Sequence, residues 1–188
     1  MPGKKQDARV RYTKMVLKQS LFELMRSKPV AKITVTEICE RAGLNRATFY
    51  AHYTDPTDLL HSIERELIDD VTCKVTPALA ARGVNLREAL ISIFEYVRAN
   101  AEACRILLSD SADTGFQSQI VRVVERQYIE YWRAASIGSR YDAEYVYTFI
   151  ALGSVGVIRK WLDEGMKKPA EDLADMILRI SDAGIITS

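Results

Sequence analysis

The chain is 188 residues long, 48% apolar, 27% charged and 9% aromatic, with a formal net charge of +1. That balance belongs to a globular protein and excludes a wholly disordered one. Its longest apolar run, from Phe149 to Ile158, is far short of the roughly 18 residues a membrane span needs, and no apolar segment follows the basic amino-terminal residues. A membrane protein and a secretory leader are therefore not expected, and the expected location is cytoplasmic.

Charge is uneven along the chain. Residues 1–53 hold eleven Lys/Arg against four Asp/Glu, a balance of +7, whereas residues 54–188 carry −6. A basic front suits a polyanionic partner, and an acidic remainder favours solubility. The three cysteines (Cys39, Cys73, Cys104) lie 34 and 31 residues apart with no CxxC, and the two histidines, His52 and His61, provide no closely spaced ligand pair. No disulfide framework, metal site or cofactor is expected, and the cysteines read as small apolar side chains within helices. There is no Gly-rich phosphate loop, and neither histidine stands beside a nucleophile motif, so an enzyme is not expected.

No segment alternates apolar and polar residues between hairpin turns, which predicts an all-α fold of about nine helices. The first spans about Asp7–Arg26, with Val10, Leu17, Leu21, Leu24 and Met25 on one face and Arg9, Arg11, Lys14 and Lys18 on the rest. The second starts after Thr34, whose spacing to Glu37 is that of a capping box, and ends at Gly43. Asn45 caps a third, Arg46 to about Tyr53. Asp55 caps a fourth, with Pro56 at its first position, that runs to about Val75. Beyond Pro77, helices are expected at about Leu86–Arg98, Ala99–Ser109, Asp113–Ile137, Asp142–Glu164 and Pro169–Ala183. The fourth helix bridges a front domain, residues 1–54, and a helical body, residues 55–188.

Function concentrates between Thr34 and Tyr53. Two short helices joined by a Gly-containing turn form a helix-turn-helix, and Ile38, Ala42, Leu44 and Phe49 have the spacing to fill the angle between them. Cys39 keeps a small side chain where the helices approach. The other face of the second short helix offers Arg46, Thr48, Tyr50 and His52, with no acid between Arg41 and Asp55. Such a face can donate to phosphates and base edges from the major groove.

The stretch Ile33–Leu60, above all Thr48-Phe49-Tyr50-Ala51-His52-Tyr53 followed by an Asp-Leu-Leu helix start, resembles the DNA-binding domain of the TetR/AcrR family of transcriptional regulators. The resemblance implies an all-helical homodimer with a three-helix DNA-binding domain and a helical body that holds an effector pocket and the dimer interface. Carried over by position, Thr36, Thr48, Tyr50 and His52 would touch phosphates or bases, and Asn45 and Arg46 would reach bases. Cys39 stands where the family usually has alanine. Pro56 stands where it often has a phosphate-binding lysine, a contact that the tail residues Lys4, Lys5, Arg9 and Arg11 could replace.

In the body, the Asp142–Glu164 helix is apolar nearly all round. Val146, Phe149, Ile150, Gly153, Val157 and Trp161 form one stripe, and Leu152, Val155, Ile158 and Leu162 another. A helix with two apolar faces must bury both, one of them against a second copy. With Leu173, Met176, Ile177 and Ile180 of the last helix, the first stripe would build a four-helix interface. Candidate effector-pocket residues are the aromatics of the middle helices, Phe94, Tyr96, Tyr128, Tyr131 and Trp132, with Arg105 as a polar member. A twofold dimer implies a roughly palindromic double-stranded operator with half-sites about 34 Å or more apart. The function expected is that of a repressor released by a small-molecule effector. The alternative is an activator working with a protein partner and without such an effector.

Overall fold

The computed structural model describes residues 3–80, 86–109, 115–122 and 143–186, and among them there is no strand. The helices are α1 (Gly3–Met25), α2 (Val35–Ala42), α3 (Arg46–Tyr50), α4 (Pro56–Ala80), α5 (Leu86–Ala99), α6 (Ala101–Leu107), α7 (residues 116–122), α8 (Ala143–Asp163) and α9 (Ala170–Ile186). A single 3-10 turn, Val30–Lys32, joins α1 to α2. The rest of the expected Asp113–Ile137 helix lies outside the described residues.

The chain divides into two compact units, the first reaching Glu66 and the second starting at Leu67. The division falls inside α4 rather than at the 54/55 boundary drawn from the sequence. Asp55-Pro56 marks where a helix begins, but the first unit's core continues beyond it through Leu59, Leu60 and Ile63, all buried. The helix also runs on through Pro77 to Ala80, past its expected end near Val75. A proline within a helix removes one main-chain hydrogen bond, a cost this helix carries at Pro77.

The first unit is built on α1. Leu17, Leu21, Phe22, Leu24 and Met25 are buried, and α1 packs along α2, which in turn packs against α3. Ile33, Ile38, Cys39, Phe49 and Tyr53 close the core. Glu23 at the end of α1 accepts from Arg41 of α2 at 2.8 Å, an exposed pair that adds orientation more than stability.

In the second unit α5 packs along α9 and against α6, and α6 packs against α8. Its centre is Trp161, 2% exposed, with the Phe94 ring edge-on at 5.3 Å and the Arg98 guanidinium over its face at 5.3 Å. Trp161 Nε1 donates to the Lys168 carbonyl at 2.9 Å, fixing the turn between α8 and α9. That turn holds Gly165 and Met166 at φ 75° and 57°, while the Met166 N–H bonds back to the Trp161 carbonyl at 2.8 Å. Arg87 joins α5 to α9 through two bonds to Asp175, at 2.6 and 3.1 Å.

Candidate nucleic-acid interface

Local chemistry sets both ends of the helix-turn-helix. Thr34 Oγ1 accepts from the Glu37 backbone N–H at 3.3 Å, and Glu37 Oε2 accepts from the Thr34 N–H at 3.0 Å, a closed capping box. Lys28 Nζ donates to the other Glu37 oxygen at 2.5 Å. The Lys28 ammonium, with the two Thr34 hydrogen bonds, holds the Glu37 carboxyl down at about 2. Gly43 then ends α2 at φ 63°, ψ 32°, and the Leu44 N–H returns to the Cys39 carbonyl at 3.0 Å. A side chain there would meet open space, so the left-handed backbone, not crowding, is what calls for glycine. Burial pushes the Cys39 thiol up, as expected of a packing residue.

Across this turn α3 begins at Asn45, whose Oδ1 accepts from the Thr48 backbone N–H at 2.7 Å and from the Thr48 hydroxyl at 2.9 Å. The helix is shorter than expected, ending at Tyr50. Residues 51–53 continue as a tight turn in which the His52 and Tyr53 N–H groups both bond to the Phe49 carbonyl, at 2.9 and 3.0 Å. Phe49 is wholly buried, with Tyr50 edge-on at 5.7 Å and Tyr53 at 5.9 Å. That anchor turns the other side of α3 outward. Arg46 and Asn45 are exposed, Tyr50 is 58% exposed, and Thr48, His52 and Thr36 of α2 are half-buried.

The six described residues assigned to DNA contact thus lie on α2 (Thr36), at the cap and along α3 (Asn45, Arg46, Thr48, Tyr50) and in the turn after it (His52). The side chain of Lys5 lies outside the described residues. Pro56 is the first residue of α4, in front of which Asp55 accepts from the Asp58 N–H at 2.8 Å and Asp58 accepts from Thr54 at 3.0 Å. The sequence overlooked that three cations of the basic front, Lys18, Lys28 and Arg41, are engaged by Glu66, Glu37 and Glu23. Arg9, Arg11, Lys14, Lys32 and Arg46 are exposed and make no ion pair among the described residues.

The body residues separate differently from the expectation. Phe149 is 72% exposed, and Gly153 and Ile180 are exposed too, while Val157 and Met176 are half-buried. Trp161, Leu173 and Ile177 do not belong with them: all three are buried within their own chain, because α5, α6 and α9 cover that side of the α8–α9 corner. The exposed apolar face of α8 instead carries Tyr145, Phe149 and Leu152, spaced one and two turns apart, with Gly153 and Gly156 beside them.

Of the expected pocket residues, Tyr128, Tyr131 and Trp132 lie outside the described residues. The other three have partners among the described residues. Phe94 is core against Trp161, Tyr96 donates to Asp70 at 2.8 Å, and Arg105 caps α8 with two bonds to the Leu162 carbonyl, at 3.3 and 3.0 Å. An open groove of about 730 Å³ runs along α9 past Lys168, Asp172, Met176 and Arg179, and none of those three lines it among the described residues. No helix of the described residues is long and apolar enough to cross a membrane, and no group of His, Cys, Asp and Glu among them could hold a metal ion.

Comparison with known proteins agrees with this architecture. Residues 20–63, spanning the end of α1 to the start of α4, match the family model for bacterial regulatory proteins of the tetR family. Residues 84–183 match the model of a transcriptional regulator C-terminal region of the same family series. A curated relative, the uncharacterized HTH-type transcriptional regulator YxbF of Bacillus subtilis (strain 168), is 24% identical over 190 residues, covering 97% of this chain and 49% of the relative. The chain therefore spans about half the length of that relative. Among solved structures, a TetR transcriptional regulator from Streptococcus agalactiae 2603V shares the fold at a TM-score of 0.67 and 22% identity, over 94% of this chain and 97% of that one. The transcriptional regulator FadR from Bacillus subtilis, solved in complex with stearoyl-CoA, superimposes at a TM-score of 0.68 and 14% identity, over 91% and 98% of the two chains. The matched segments together take in both units, and the chain belongs to the TetR family of bacterial transcriptional regulators.

Proposed function

We propose that this chain is a cytoplasmic, sequence-specific repressor that binds a pseudo-palindromic operator as a homodimer and is released by a small-molecule effector. The DNA-binding part comprises residues 1–54 with the first turns of α4, and the remainder serves dimerisation and effector binding. The observation that carries the reading is the outward face of α3, where Arg46 and Tyr50 stand exposed beside Asn45 while Phe49 is locked into the core behind them. Phosphate contacts from the exposed cations would set register, and the few base contacts would set sequence. No catalytic role is assigned to the chain.

The dimer reading rests on α8. A contiguous exposed patch of Tyr145, Phe149 and Leu152, flanked by glycines that let another helix approach, is costly to leave in water. The effector reading draws on the shared fold of FadR, whose complex with stearoyl-CoA places a small molecule in a protein of this architecture. An effector lowers operator affinity only by as much free energy as it favours the conformation that does not bind DNA.

Selection of bound duplexes from a random pool, followed by a promoter–reporter assay on the enriched sequence, tests this reading. The expected result is a pseudo-palindrome with half-sites about 34 Å or more apart and a reporter silenced by the protein alone. A reporter that rises when the protein binds would refute repression, and a pool without enrichment would refute the DNA-binding assignment.

A further inference from the structure

We propose that Asn45 and Thr48 read base edges with fixed and opposite hydrogen-bond polarity, Asn45 solely as a donor and Thr48 solely as an acceptor. The inference rests on the DNA-binding reading of α3 and specifies what that face can recognise.

The constraint is internal to the protein. The Thr48 backbone N–H, 2.7 Å from the Asn45 side chain, can only donate, so the atom it meets is the carbonyl oxygen Oδ1. The orientation of the amide, commonly ambiguous, is settled here by that donor, and the NH2 group faces elsewhere. Oδ1 carries no proton, so the proton in its 2.9 Å contact with Thr48 Oγ1 is the hydroxyl's own. A hydroxyl has one proton to give. Once that is committed inward, Thr48 offers only lone pairs to anything outside, and Asn45 offers only N–H.

Two consequences separate this face from a generic polar one. Adenine is commonly read by an asparagine that accepts from N6 and donates to N7 together, a pairing unavailable to Asn45 while its oxygen holds the start of α3. Phosphate oxygens are acceptors, so Thr48 gains nothing from a phosphate, and its place is opposite an exocyclic amine. Of the two contacts the sequence left open for Thr48, phosphate or base, this selects the base. Arg46, exposed and without an ion pair among the described residues, adds further donors next to Asn45. The side chains at 45, 46 and 48 therefore offer donor, donor and acceptor. A G·C pair presents the complement across the major groove, the N7 and O6 acceptors of guanine beside the N4 amine of cytosine. Adenine N6 is the other base amine that could serve Thr48, and sequence selection separates the two.

The test compares the full chain with Thr48→Val, Thr48→Ser and Asn45→Asp in selection from random duplexes. Valine keeps the branched shape and the capped backbone N–H but removes the hydroxyl. Aspartate keeps the capping oxygens and removes the NH2. Thermal melts by circular dichroism verify that each variant is folded. Thr48→Val should lower discrimination for an amine-bearing base at one position per half-site by about fivefold or more, with affinity for unrelated DNA unchanged, and Thr48→Ser should restore it. Asn45→Asp should exchange an acceptor-bearing base, guanine foremost, for an amine-bearing one at a neighbouring position. Folded Thr48→Val and Asn45→Asp variants that both select the wild-type motif unchanged would overturn the polarity assignment alone. Failure of the wild-type chain to enrich any sequence would overturn the DNA-binding reading and the assignment with it.

Discussion

Glu37 closes the capping box with one oxygen and binds Lys28, from the end of α1, with the other. Its carboxyl sits at about 2 rather than 4.5, with the Lys28 bond as the leading cause. A group depressed in this way stabilises the fold fully above its unfolded value, and the contribution disappears as pH falls through the folded value. Melting followed by circular dichroism at a series of pH values should show wild type above Glu37→Gln near neutrality and the gap closing between about pH 5 and 2. A gap that stays constant over that range would remove Lys28–Glu37 from the account of the turn. On the recognition face, Arg46→Ala is expected to relax base preference at one position per half-site by about 1–3 kcal/mol. Tyr50→Phe, which loses one hydroxyl from an exposed ring, should instead weaken all sequences alike. Gel-shift titrations on matched and scrambled duplexes distinguish the two patterns.

Among the elements, α8 carries the sharpest division of labour. Trp161 and Phe149 belong to the same apolar stripe by sequence, yet one is 2% and the other 72% exposed. Trp161→Ala removes a ring that holds Phe94, Arg98 and the following turn, and should cost about 3–5 kcal/mol in denaturant unfolding. Phe149→Glu touches little within its own chain, so folding of the monomer should be nearly unchanged. Its effect is expected on association: a carboxylate forced into an apolar helix interface costs about 2–5 kcal/mol, enough to move sedimentation at micromolar concentration from dimer toward monomer. A Phe149→Glu protein that remains dimeric would put the interface on another face. The stripe could not be resolved from periodicity because a helix apolar all round contains no signal for which neighbour covers which side.

At the scale of the whole molecule, the basic front matters through the cations left free after internal pairing. With Lys18, Lys28 and Arg41 engaged, roughly four phosphate contacts per subunit from the remaining cations give a dimer a slope of about −7 in log affinity against log salt. Titrations between low and moderate potassium chloride measure it directly. A slope near zero would contradict a polyanionic partner.

The capping residues Thr34, Asn45 and Asp55, the stop at Gly43 and the buried Phe49 were legible because each acts within about one helical turn of itself, where sequence spacing is spatial distance. The same locality explains the failures. Pro77 looked like an end, but the helix runs on through it to Ala80. Nor does spacing reveal that Arg105 and Tyr96 bond to Leu162 and Asp70, which come near from other helices. So the amino-acid order by itself determined the all-helical class, the helix-turn-helix and the residues that face outward from it. Tertiary packing alone decided the fate of Trp161, Leu173 and Ile177 and placed the unit boundary inside α4, because burial is conferred by residues distant along the chain.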